Sequence, residues 1–195
     1  RNHIASLIKQ HKLFCEAERE YPRALDYMRR VGHYEFGLDL RPINTGDSSV
    51  VRSIEQLWDS VDRDSSDHVR GWARYWANLY GWLHDELECD PRLRSAVQVV
   101  CYEHLCDRPH ETLGTVMQHC ELPDAQLLES FAGKITAPTY YELEFSAEEE
   151  HAIEEETATV VRKYDGLWTE GNVQRTIGVG RNKVAPSSAG TAQTR

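Results

Sequence analysis

The chain has 195 residues, a composition ordinary for a globular protein, a mean hydropathy of −0.61 and a formal net charge of −10. That charge argues against a nucleic-acid partner, which needs a broad basic face to displace phosphate counterions. A small anion held by a few local donors stays compatible with it. Apolar stretches run only a few residues, so no membrane span is expected, and no basic start followed by an apolar run marks a signal peptide.

The five cysteines, Cys15, Cys89, Cys101, Cys106 and Cys120, are odd in number and form no CxxC pair, which points to reduced thiols in a cytoplasm. The chain opens on Arg1 and not on Met, as a fragment or a processed product would.

Ile4, Leu7, Ile8, His11 and Cys15 recur at helical spacing, predicting an amphipathic helix from about 3 to 18. A second helix, roughly 21 to 31, has Pro22 in its first turn. Gly32, Gly37, Pro42 and Gly46 make 32–47 a loop. Ser48 or Ser49 caps a short helix carrying Val51, Ile54, Leu57 and Trp58.

Asp67 is the predicted cap of the longest helix, running to about Glu88. Trp72, Tyr75, Trp76, Leu79, Trp82 and Leu83 line one side of it, a stripe read first as core and second as a docking face. Residues 97–102, Val-Gln-Val-Val-Cys-Tyr, are β-branched and apolar, and predict a buried strand feeding a helix. That next helix is expected to bury Leu113, Val116, Met117 and Cys120. Leu122-Pro123-Asp124 breaks it and opens a short helix through about Phe131.

Ser146 and Glu149 form a capping box for a last helix with Ile153, Val160 and Tyr164 on its apolar face. From about residue 171 the chain is rich in Gly, Ser, Thr, Gln and Asn, so 171–195 reads as a disordered tail and 1–170 as the folded domain. A lone strand is not stable, so its partner strands are expected from upstream sequence or another chain.

Several local motifs fail. Gly178-Val-Gly-Arg-Asn-Lys183 lacks the P-loop spacing and the strand and helix that should flank it. Cys101, His104, Cys106 and His110 sit where a strand would point neighbours apart, so no metal is expected. No HExxH or GxSxG occurs.

Two stretches carry a resemblance. Val99-Val-Cys-Tyr-Glu-His-Leu-Cys-Asp-Arg-Pro-His-Glu-Thr-Leu113, continuing to Leu122-Pro123, resembles the "V-x-Y-E-D-L" strand, "x-D-P" turn and "T-L" helix of sulfotransferases that use 3′-phosphoadenosine-5′-phosphosulfate, the bacterial ones above all. His104 stands where that family has an acidic residue, and Glu121 stands in place of a glycine. The opening, Asn2-His-Ile-Ala-Ser-Leu-Ile-Lys-Gln10, is similar to the family's 3′-phosphate motif, in which an Arg precedes a Ser at a helix start. With Ser6 as that serine, the arginine falls upstream of Arg1. Trp72-Ala-Arg-Tyr-Trp76 and Ile135-Thr-Ala-Pro-Thr-Tyr-Tyr141 add weaker likeness, so that the resemblance covers most of residues 1–168.

The resemblance implies an α/β fold: the helix-rich C-terminal part of a P-loop-like parallel-sheet domain, without its N-terminal strands and phosphate loop. It implies that Ser6 holds the 3′-phosphate and that Tyr102 lies beside the adenine, at the carboxyl end of a strand. It also implies sulfuryl transfer from the co-substrate to a hydroxyl or amine of a small-molecule or glycan acceptor. The phosphate-gripping loop and the base come from the N-terminal half in such enzymes. No catalytic residue is therefore assigned in this chain, and no turnover is expected of it alone. A P-loop nucleotide kinase and a helical protein-interaction module are the alternatives; no lid signature supports the kinase.

Overall fold

The computed structural model describes residues 1–60, 66–122, 125–137 and 144–173. The rejected phosphate-loop-like run at 178–183, Pro123, the 138–141 stretch and nearly all of the tail lie outside them. Helix α1 (Asn2–Glu20) follows the predicted periodicity, with Ile4, Ile8 and Cys15 buried on one stripe. Helix α2 (Pro22–Val31) starts on its proline. It stops at Gly32, whose φ of 72° lets the chain turn left-handed while its N–H bonds back to the helix.

Helix α3 (Ser48–Trp58) is capped by Asp47, one residue before the expected serines. Its carboxylate accepts from the N–H groups of Ser49 at 2.8 Å and Val50 at 3.3 Å. A carboxylate so placed satisfies two orphan amides and answers the helix dipole, an advantage a serine lacks. The Ser49 hydroxyl, donating to the same carboxylate at 2.6 Å, together with these two amides holds the Asp47 carboxyl below its ordinary range. Helix α4 (Ser66–Cys89) is followed by α5 (Pro91–Ala96), a short turn that Asp90 caps and that sequence periodicity is too brief to reveal.

Then come α6 (Tyr102–Asp107), α7 (Pro109–His119), α8 (Ala125–Ala132) and α9 (Ala147–Val173). The capping box of α9 is present in both directions. Ser146 N–H reaches Glu149 Oε2 at 2.7 Å, and Glu149 N–H reaches Ser146 Oγ at 3.3 Å.

Among the described residues there is no strand, which overturns the α/β parallel-sheet expectation. Residues 97–101 are extended at both ends, with Val97 at φ −110°, ψ 126° and Cys101 at φ −75°, ψ 124°. They have no partner ladder. Side chains on α7 hold this stretch and its approach instead: Gln98 Nε2 donates to Thr115 Oγ1 at 3.1 Å, and His119 lies 3.1 Å from the carbonyl oxygen of Ala96, the last residue of α5. β-Branched residues set local dihedrals, but a sheet needs a second strand. Tyr102, read as the strand's end, is the first residue of α6. Val97 and Val100 are accordingly exposed by more than a third, and α7 is only half-buried, with Cys120 exposed.

Helix α4 is the hub, packing against α9, α3 and α1. The core joins Ile4 and Ile8, Ile54 and Trp58, Val69, Trp72 and Tyr75, and Ile153. Gly71 makes the α3 contact possible: a Cβ there would lie 2.8 Å from Trp58 Cδ1 and 3.1 Å from Leu57 Cβ. Glu18, only 4 % exposed, accepts the Leu38 N–H at 2.6 Å and so pins the 32–47 loop onto α1. Gly37, at φ 91°, is required beneath it, because a Cβ would overlap that carboxylate.

An ion cluster ties α4 to α9. Arg74 grips Glu156 with two nitrogens at 2.9 and 2.6 Å; Arg70 reaches Glu156 at 3.2 Å and Glu155 at 2.8 Å. Burial works to raise the Glu156 carboxyl, but the two arginines outweigh it and hold it below the usual value. Among the described residues no helix is long and apolar enough to cross a membrane.

Two predictions follow from α4's packing. Gly71→Ala should lower unfolding stability by about 1–3 kcal/mol, since α3 must shift away. Gly81→Ala, whose Cβ meets only Val160 at 3.5 Å, should be neutral or raise it by up to about 1 kcal/mol. Denaturant melts that rank the two variants the other way would disprove this packing. For the ion cluster, Glu156→Gln should cost about 1–3 kcal/mol near neutral pH. A carboxyl depressed in the folded state stabilises fully above its ordinary pKa of 4.5 and loses that contribution as pH falls through the depressed value. The wild-type and variant stability curves should therefore converge under acid, and parallel curves would contradict it.

Candidate functional site

Ser6 lies in the second turn of α1 and is half-buried. The first intrahelical bond runs from Ala5 N–H to the Arg1 carbonyl at 3.0 Å, so the unsatisfied amides of this helix end precede Ser6. The Ser6 N–H itself belongs to the helix ladder.

Tyr102 stands at the first position of α6 with 54 % of its surface exposed. Cys101 precedes it as the cap residue, and the Cys101 thiol points to Glu103 Oε2 at 3.3 Å. Burial chiefly, with Glu103 adding to it, pushes that thiol's pKa up, which makes it a poor nucleophile. Glu103 thus serves the local turn through a side-chain contact.

Helices α1 and α6 do not pack side by side; α1 packs on α2 and α4, and α6 on α7. His3, in the first turn of α1, packs instead against α4. Trp76 Nε1–H donates to His3 Nδ1 at 3.0 Å, and the Tyr80 hydroxyl lies 3.4 Å from the same nitrogen. Trp76 and Tyr80 are stacked at 4.5 Å, and the His3 ring meets Tyr80 edge-on at 5.7 Å. Burial lowers the His3 pKa, the positive charge at Arg1 adds to that, and the Glu103 carboxylate opposes both without reversing them. His3 is therefore a neutral ring near neutral pH.

Sequence reasoning singled out Ser6 and Tyr102 but missed His3 and Tyr80. The available signal was modest: Trp76 and Tyr80 are four apart on one helix, and His3 precedes the core residue Ile4. The aromatic stripe of α4 divides along its length. Trp72 and Tyr75 are buried in the core, whereas Trp82 is 46 % exposed.

Among the described residues no cluster of His, Cys, Asp or Glu has the arrangement of a metal site. Taken one by one, Ser6 carries a hydroxyl, Tyr102 an exposed phenol and His3 a neutral imidazole, each suited to hydrogen bonding or stacking. Compared with family models, with curated proteins and with solved structures, the chain matches none.

Proposed function

We propose that this chain supplies the 3′-phosphate and adenine side of a nucleotide site in a sulfotransferase that uses 3′-phosphoadenosine-5′-phosphosulfate. The observation that carries the reading is the run Val99–Leu113. Its residues resemble the family's motif, and its local order is an extended segment, a helix opening on Tyr102, a turn at Arg108-Pro109 and a helix bearing Thr112 and Leu113. The reading rests on these residues and not on a parallel sheet.

Ser6 donates its hydroxyl to the 3′-phosphate, and Tyr102 presents its ring to the adenine. Sulfuryl transfer is an in-line displacement at sulfur by an acceptor hydroxyl or amine, with 3′-phosphoadenosine 5′-phosphate leaving. The acceptor is a small molecule or a glycan, and no step calls for a metal. The base and the donors around the transferring group are not assigned to residues of this chain. A cytoplasmic location suits the free thiols and the intracellular co-substrate. An interaction module docking through the α4 stripe is less well supported, because Trp72 and Tyr75 are buried.

Calorimetric titration tests the reading. The protein should bind 3′-phosphoadenosine 5′-phosphate more tightly than adenosine 5′-phosphate, which lacks the 3′-phosphate. Ser6→Ala should remove about tenfold of affinity for the first ligand and leave the second unchanged. Tyr102→Ala should weaken both about tenfold through lost stacking. Equal binding of the two nucleotides by the wild type, or no binding, would sink the proposal.

A further inference from the structure

The loop at 32–47 is tied to α1 through two neighbouring amides, and their acceptors differ in kind. Leu38 N–H donates to the Glu18 carboxylate at 2.6 Å, and Gly37 N–H donates to His11 Nδ1 at 3.3 Å. A backbone N–H can only donate, so His11 Nδ1 must keep its lone pair. The ring is then neutral, with its one proton on Nε2. That proton falls toward Cys15 Sγ, 3.6 Å from Nε2 and one turn further along α1. Gly37 is buried, so its N–H has no water to turn to once the imidazole stops accepting. An imidazole takes up its second proton at a pH of about 6.5, where a carboxylate still accepts.

We propose that His11 is an acid-sensitive latch on the 32–47 loop. Neutral, it accepts the Gly37 N–H and keeps the adjacent Phe36 against Trp72, with 6.1 Å between ring centres. Protonated, it sets an N–H against an N–H, the bond to Gly37 breaks, and Phe36 is free to leave Trp72. Leu38 stays tied to Glu18, so the release is local and the helices remain folded. The inference stands apart from the nucleotide reading above.

Three elements bring titratable groups to this place. From α1 come Cys15 and Glu18, whose carboxylate lies so close over Gly37 that a Cβ there would overlap it. From α4 comes His68, 6.4 Å from His11 between ring centres; its Nε2 accepts the Trp72 Nε1–H at 3.2 Å, so it too is neutral in this arrangement. The loop adds His33, stacked on Phe14 at 5.3 Å with Glu35 3.6 Å from it, on the far side of Phe36. A carboxylate favours a positive ring beside it and a second imidazolium opposes one. The sign of the linkage follows from the bond itself. The latched loop excludes a proton from Nδ1, so it is favoured at neutral pH and loses that advantage as pH falls through the imidazole range.

The experiment follows backbone amides and histidine ring nitrogens of the whole chain between about pH 7.5 and about pH 5.5. Corrected for the intrinsic pH dependence of exchange, the Gly37 amide should lose about tenfold of its protection over that range, as one proton taken up at an ordinary imidazole requires. The amides of Leu38, α1 and α4 should keep theirs. At the upper pH the His11 ring should carry its proton on Nε2. His11→Asn, whose Oδ1 accepts near the Nδ1 position and takes no proton in this range, should hold Gly37 equally at both ends. His68→Gln, which keeps an acceptor for the Trp72 indole, should leave the Gly37 response in place. A His11 proton on Nδ1, or a wild-type Gly37 amide equally protected at both pH values, would overturn the latch. So would a response that persists in His11→Asn or vanishes in His68→Gln. Protection lost together across all the helices would mean global unfolding and would overturn it as well. The wild-type readouts decide the matter even where a variant does not fold.

Discussion

The indole of Trp72 is wholly excluded from solvent, with Trp58 at 4.7 Å, His11 at 5.5 Å, Phe36 at 6.1 Å and Tyr75 at 6.1 Å between ring centres. Its one polar atom is satisfied within the same helix, since Nε1–H donates to His68 Nε2 at 3.2 Å. Four separate segments, α1, α3, α4 and the 32–47 loop, thus meet on a single side chain. Emptying such a site typically costs about 3–5 kcal/mol, a large fraction of a domain's whole stability. The supporting features are conditions for that contact. Gly71 lets Trp58 approach, and Glu18 with Gly37 holds the loop that carries Phe36.

Most of this was legible because it obeys a short period. Ile4 and Ile8, Ile54 and Trp58, Trp72 and Tyr75, and Ile153, Val160 and Tyr164 all recur at helical spacing, and all are buried. The Ser146–Glu149 box was equally readable, because a cap is a local device. Where reading erred, the missing information was non-local or very short. Asp47 outcompeted the two serines that follow it, and α5 spans too little chain for a period to show.

The strand at 97–102 is the instructive miss. Val-Gln-Val-Val-Cys does take extended dihedrals at its ends, so local preference acted as expected. Strand pairing is a relation between two segments, and the described residues provide no second one. The same segment therefore turns outward, exposing Val97 and Val100, and delivers Tyr102 to a helix start. Family likeness had tied the fold to the function. The residues that carry the likeness survive in their order even though the sheet does not, so the functional reading must be argued from side chains.

Those side chains inherit their geometry from the core. Residues four apart on an α-helix are offset by about 40° around the axis, so a stripe taken in fours drifts steadily around it. On α4, Trp72 faces α3 and the loop, and four residues on Trp76 meets His3 of α1. Four further on, Tyr80 touches both His3 and Tyr164 of α9, and His84 lies against that same tyrosine. The Tyr164 hydroxyl donates to the Tyr80 carbonyl at 2.9 Å, and burial above all pushes its pKa up to about 12, so it stays a donor throughout the physiological range. Along one helix the aromatic side chains thus pass from the buried Trp72 cluster to a second group, Trp76 and Tyr80, that meets His3. The orientation of His3 is set by the same helix whose position Trp72 fixes. A change that rotates α4 would disturb the core and the candidate site together, whereas one that removes only the Trp76 N–H would disturb the site alone.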